Sequence, residues 1–306
     1  MEQKLKIRLL VLISVLDLAG CSINRLVVNK VGDALSEGGS VFTSDNDPDL
    51  VREAIPFGLK TYESLLDVSP EHEGLLLSAS TGFGAYAYLI QLQADNIDDL
   101  NYAEARRQRA RASRLFLRGR DYALRALELH HPGITRQLRR ERATALRDTD
   151  VRDIPLLYWA GVNWAGALTA AKDDAFLIAE VPIAAALVER VLKLDESYNS
   201  GAAHEFFITF EGSRMGGSVE AARSHYQRAV KLSQGKRASV HLALAEVVAV
   251  RQQNLPEFRQ LLAQALAVDA DEVPALRLEN TIAQNRARWL EARIPKLFVD
   301  VEEELR

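Results

Sequence analysis

The 306-residue chain carries 38 Lys and Arg against 42 Asp and Glu, a net charge of −4, and holds one Cys. That balance excludes the strongly basic surface expected of a nucleic-acid binder. A lone Cys excludes an internal disulfide and a thiolate metal cluster. The length suffices for a sizeable core.

In chain order, the N-terminus comes first. Lys4, Lys6 and Arg8 precede the apolar run Leu9 to Leu16, then Asp17, then Leu18-Ala19-Gly20-Cys21. A basic start, a short apolar stretch and small residues before a cut make an export signal. The run is too short for a bilayer core, which takes about 20 apolar residues. Residues 1–20 are therefore expected to be a lipoprotein signal peptide, with Cys21 the acylated first residue of the mature chain. That covalent lipid is the only prosthetic group expected, with no other cofactor. A buried N-terminal helix is the alternative, but it gives no reason for small residues before Cys. Asp17 is the one departure from the pattern. Ser22, where an Asp would favour inner-membrane retention, points to the outer membrane with the polypeptide facing the periplasm. Without its signal the chain is near −5, since the removed segment holds three basic and two acidic side chains.

Residues 21–49 read as a lipidated tether with one short helix through Val27, Val31 and Leu35. Glu37-Gly38-Gly39-Ser40 and Ser44-Asp45-Asn46-Asp47-Pro48 break it. Residues 50–306 read as one all-α domain, because apolar residues recur at helical spacing and period-two runs are absent. The spacing predicts helices near 50–66, 75–93, 102–129, 135–147, 154–171, 180–194, 202–211, 217–232, 238–250, 255–268 and 274–292, with Pro182 marking one of the starts. Five helix ends look alike and align on Leu66, Leu127, Leu192, Val230 and Leu266. Their last two intervals approach the tetratricopeptide period of about 34 residues. Stacked hairpins of this type form an α-solenoid whose concave face is lined by the first helix of each pair.

No phosphate loop, zinc-protease or nucleophile-elbow motif occurs, so no catalytic residue and no metal site is assigned. Gly82-Phe83-Gly84 reads as close helix packing. Arg107, Arg111, Arg114 and Arg118 share one stripe of a helix. They form either a solvated face or a docking strip for an acidic protein or lipid head groups. Tyr158, Trp159, Asn163 and Trp164 lie on one expected first-position helix, and His204, Phe207 and Glu211 on another. Aromatic rings with sparse polar groups suit an apolar ligand or a partner helix, and the competing reading is core packing.

Several long segments then resemble the TatT lipoproteins, the T component of certain TRAP transporters (tripartite, ATP-independent, periplasmic). They run Leu18–Ser36, Val41–Leu66, Leu117–Gly133, Asp153–Trp164, Glu189–Phe207, Ala222–Ala238 and Asn280–Ile294. The resemblance implies an all-α fold with cryptic tetratricopeptide repeats, a lipid anchor, homo-oligomers such as a trimer, and association with a periplasmic solute-binding subunit. It also implies an apolar cleft and no catalytic residues. The function expected is that of an accessory protein that helps hand over a small, hydrophobic ligand. Two other readings compete. One is a scaffold for outer-membrane protein assembly, which the irregular repeat intervals disfavour. The other is a murein-acting enzyme with Glu205 or Glu211 as its acid.

Overall fold

The computed structural model describes residues 28–299 except residue 37. Cys21 and the signal segment lie outside the described residues, as does the C-terminus beyond 299. Among the described residues every regular element is helical.

Helix α1 covers residues 28–36 and is followed by the single turn α2 (Ser40–Thr43). This stretch is docked on the body. The Ser69 hydroxyl donates to Asn29 Oδ1 at 2.6 Å, and the backbone oxygen of Asn29 lies 3.2 Å from His72 Nε2. Phe42 packs on the main core. Then come α3 (Pro48–Val68), α4 (Glu73–Ile97) and α5 (Tyr102–His130). Asp47 accepts from the Asp49 and Leu50 amides, and Asn101 from the Glu104 amide, which satisfies first-turn donors that would otherwise lack partners. The segment expected as one helix over 135–147 is two, α6 (Ile134–Arg140) and α7 (Arg142–Ala145), broken where Glu141 adopts φ −143°.

Next are α8 (Ile154–Ala170) and α9 (Ala175–Leu194). Helix α9 does not start at Pro182. Asp174 accepts hydrogen bonds from the Phe176 and Leu177 amides and starts the helix at Ala175, so Pro182 stands inside it. The cap and the burial of Leu177, Ile183 and Leu187 outweigh the one backbone hydrogen bond that proline removes. Helix α10 (Tyr198–Ser213) opens with a left-handed turn at Asn199, Ser200 and Gly201 (φ 45°, 56° and 86°), so regular helix begins at Ala202. The chain continues through α11 (Val219–Ser233), α12 (Ala238–Leu244) with a π-type turn at Ala245–Ala249, α13 (Leu255–Ala267), α14 (Arg277–Glu291) and α15 (Ile294–Leu297).

The helices bury two apolar clusters. The larger unites α3 to α9 around Leu75, Leu76, Leu127, Trp164 and Leu187, and the smaller unites α10 to α15 around Ile208, Val248, Phe258 and Leu290. Each fully buried side chain of Leu size contributes about 1.5–3 kcal/mol. Helix α4 is long and apolar enough to cross a membrane by composition, yet it is the central core helix, packed by α3, α5 and α8. The end of the chain returns to its beginning. Asp99, just after α4, accepts from Arg293 at 2.9 Å and Lys296 at 2.7 Å, and Arg277 donates to the Ser44 carbonyl at 3.0 Å. Leu278 and Ile282 of α14 pack on the larger cluster. The series of helices therefore closes on itself and has an inner side.

Candidate ligand and partner groove

Helix α8 is apolar on nearly every side, so it is covered on most of its surface. Asn163 is fully buried where α8 crosses α4 and α5. Its amide nitrogen donates to the Ser80 carbonyl at 3.1 Å and the Ser80 hydroxyl at 3.2 Å. Gly84 on α4 and Gly119 on α5 leave room for it, and a Cβ at either position would collide with the Asn163 side chain. Trp164 is 1% exposed, and its indole N–H donates to Glu180 at 2.9 Å beneath the Arg120 and Arg139 guanidinium groups. Asn163 and Trp164 are thus removed from the expected groove and belong to the core. Five residues on, a helix has turned about 140°, so Trp159 and Trp164 face different ways.

Tyr158 and Trp159 remain half-buried and meet edge to face at 5.6 Å, with Tyr198 at 5.5 Å on the other side of Tyr158. Burial pushes the Tyr158 hydroxyl well above the usual phenol range, with Arg237 opposing and Glu205 and Glu279 adding to the rise. Burial pushes Tyr198 up to about 12.

Arg237 is the polar centre of this region and is 4% exposed. It donates to Glu279 Oε1 at 2.9 Å through Nε and to the Asn199 carbonyl, which fixes the left-handed turn that starts α10. Two non-glycine residues in that conformation cost about 1–2 kcal/mol each, so the Arg237 contact helps to hold a strained segment. Glu205 lies 3.3 Å from Arg237, but its Oε2 has no hydrogen-bond partner among the described residues. Burial raises the Glu205 carboxyl, with Arg237 opposing and Glu279 reinforcing.

Tyr88 of α4 extends the same face. It is 45% exposed, yet it feels Glu246, Arg286, Glu205 and Glu279 from the opposite helices. Arg286 in turn donates to Glu246 at 2.8 Å and pairs with Asp95 at 3.2 Å. Tyr88 is thus exposed yet within electrostatic reach of charges on the opposing helices. Helices α4, α8, α10, α12 and α14 bring side chains to this region. It joins tyrosines to buried ion pairs and is more charged than an apolar cleft.

The other expected groove residues turn elsewhere. His204 lies 2.8 Å from His225 and 3.2 Å from Glu196, and Phe207 stacks on His225 at 5.1 Å. Glu211 accepts from Arg214 at 2.7 Å and from the Ser218 amide at 3.1 Å. Positions 204, 207, 208 and 211 share one helical face, buried against α11 and α12, while Glu205 on the adjacent face turns inward. On α5, Arg107 pairs with Glu104, Arg111 donates to the Tyr86 hydroxyl at 2.9 Å, and Arg118 pairs with Glu63. Only Arg114 of that stripe has no partner among the described residues, which favours the solvated face over the docking strip.

Tyr88, Tyr198, Arg237, Glu246, Glu279 and Arg286 were not legible as site residues. The one local signal was Asn199-Ser200-Gly201, a run suited to left-handed backbone that marks the strained turn beside Tyr198.

These features define an all-α protein whose helices converge aromatic and charged side chains on an inner face. The family model described as TRAP transporter T-component matches residues 44–298. A protein of Treponema pallidum (strain Nichols), described only as an uncharacterized protein, is 30% identical over 305 residues, covering 92% of this chain and 94% of the relative. The chain belongs to the TRAP transporter T-component family.

Proposed function

We propose that this protein is a periplasm-facing accessory subunit of a TRAP-type secondary transporter, anchored by lipid at Cys21, more in keeping with the outer than the inner membrane. In this reading it binds the periplasmic solute-binding subunit and helps hand over its small ligand. The family membership supplies the transport context. The observation that carries the rest is the convergence of Tyr88, Tyr158 and Tyr198 with Arg237, Glu205 and Glu279 on one inner face. Tyrosine offers apolar area with a polar tip, and a few fixed charges orient what binds. A ligand with an apolar body and a polar group suits that face, as does a partner helix with one charged edge. Recognition of this kind needs no bond chemistry. The helical pairs are read as degenerate tetratricopeptide-type hairpins, and self-association into a trimer fits the same family.

Calorimetric titration of the mature chain with the TRAP solute-binding proteins of the same organism tests the reading. Saturable binding is expected, weakened about tenfold (about 1.4 kcal/mol) by Tyr158→Ala combined with Glu205→Gln. Absence of binding to any TRAP solute-binding protein would defeat it.

A further inference from the structure

The α5–α6 junction holds a cluster unrelated to the inner face. His130 and His131 are consecutive, and on a continuing helix their rings would diverge by about 100°. The helix ends there, however. The His131 amide closes α5 onto the Leu127 carbonyl at 2.8 Å, and His131 itself leaves helical geometry at φ −131°, ψ 79°. Both rings consequently turn to one carboxylate. His130 Nδ1 lies 2.7 Å from Asp153 Oδ1, and His131 Nε2 lies 2.8 Å from Asp153 Oδ2. The three ligand atoms all lie within 4.8 Å of one another.

The surroundings hold these groups in place. Asp153 is 3% exposed at the start of α8 and accepts from the Asp150 amide at 2.9 Å within a capping box. Gly133, at φ +88°, turns the chain into α6, and its amide together with that of Thr135 donates to the Glu128 carboxylate. On the outer side, His130 Nε2 lies 3.0 Å from Glu73 Oε2. Once an ion takes the place of the proton at Nδ1, the Nε2–H remains donated to Glu73. That is the carboxylate–histidine relation found behind metal-ligating imidazoles. Both rings remain partly exposed, which leaves an entry path for an ion and room for water ligands.

We propose that His130, His131 and Asp153 form a binding site for a late first-row divalent cation, with Zn²⁺ the best fit, and that Glu73 positions His130 for it. Two imidazoles and a carboxylate are donors of the type such ions take, with ligand bonds near 2.0–2.2 Å and remaining positions open to water. The ion displaces the protons shared between the rings and Asp153, so binding releases protons. It also ties the starts of α4 and α8 to the end of α5, beside the segment on which α1 is docked.

The test uses the mature chain stripped with chelator and titrated with ZnCl₂ by calorimetry in two buffers of different ionisation enthalpy, and with CoCl₂ by visible absorption. Expected are one ion per chain, net proton release, a visible cobalt band that saturates at one equivalent, and a raised Tm with zinc. His131→Ala, which leaves the Asp150–Asp153 cap intact, should weaken zinc binding at least about tenfold. His204→Ala, in the other histidine pair, should leave it unchanged. No cobalt band saturating at one equivalent in the wild type overturns the proposal without recourse to any variant. Zinc affinity unchanged in a folded His131→Ala chain, or lost in His204→Ala instead, overturns it as well.

Discussion

The two halves of this protein solve burial differently. Between α4, α5 and α8 the backbones approach at glycines, and one neutral amide, Asn163, is the deep polar group. Between α10, α12 and α14 a buried amide, Asn280, is joined by a buried guanidinium, Arg237, shared between Glu205 and Glu279. A neutral amide needs only hydrogen bonds to be tolerated inside, whereas buried charge needs a countercharge. The first half is therefore packed closely around a neutral polar contact. The second half places charged side chains in its interior.

The largest effect should come from removing the central cation. Arg237→Met leaves Glu205 and Glu279 facing each other and frees the left-handed turn at Asn199. Stability is expected to fall by about 3 kcal/mol, the low end for a broken buried pair because Glu279 is 34% exposed. Chemical denaturation measures this, and adding Glu205→Gln should recover part of the loss. Equal losses in the single and double variants would show that the charges are not coupled.

Gly119→Ala probes the other half. The new Cβ would stand 2.9 Å from the Ser80 carbonyl and 2.7 Å from the Asn163 amide. A cost of about 2 kcal/mol is expected from overpacking, with no recovery from any charge substitution. A neutral result in the thermal melt would mean that the α4–α5–α8 contact is looser than its geometry.

Acid should separate the halves without mutation. Burial holds His204, His225 and His241 below the ordinary imidazole value of 6.5. Glu196 opposes the shift at His204, and Glu211 does so at His225. A lowered histidine value means that the unfolded chain binds more protons than the fold, so stability is lost as pH falls through 6.5 toward the folded values. Hydrogen exchange, corrected for intrinsic rate, should show protection falling in α10 to α12 before α4 and α5. Uniform loss across both halves would break the contrast. The smallest effect is expected of Arg114→Glu on the exposed stripe, within about 0.5 kcal/mol and with solute-binding-protein affinity unchanged. Loss of that affinity would restore the docking strip.

Much of the helical content was legible because its causes are local. Apolar periodicity and the small residues of Gly82-Phe83-Gly84 are both read within a few turns. Pro182 misled because a proline reads as a boundary, while Asp174 and the buried face of α9 set the actual start. Of the residues assigned to a groove, Tyr158 and Trp159 are half-buried beside Tyr198, while Trp164, Asn163, His204, Phe207 and Glu211 are packed inward or onto α11. Their residue types suit a core as well as a groove, and only the neighbouring helices decide between the two.

What the sequence determined by itself is the helical framework and the expectation of a lipid-anchored, exported chain, because those rest on short-range pattern. What the tertiary structure decided is which charges are interior. Arg237, Glu279 and Arg286 read along the chain as ordinary solvated helix residues. They become interhelical ion pairs only because α14 packs beside α12 and, with α15, returns to Asp95 and Asp99 at the end of the first long hairpin. Helical periodicity shows which face is apolar, but a charged face looks the same in sequence whether it meets water or another helix.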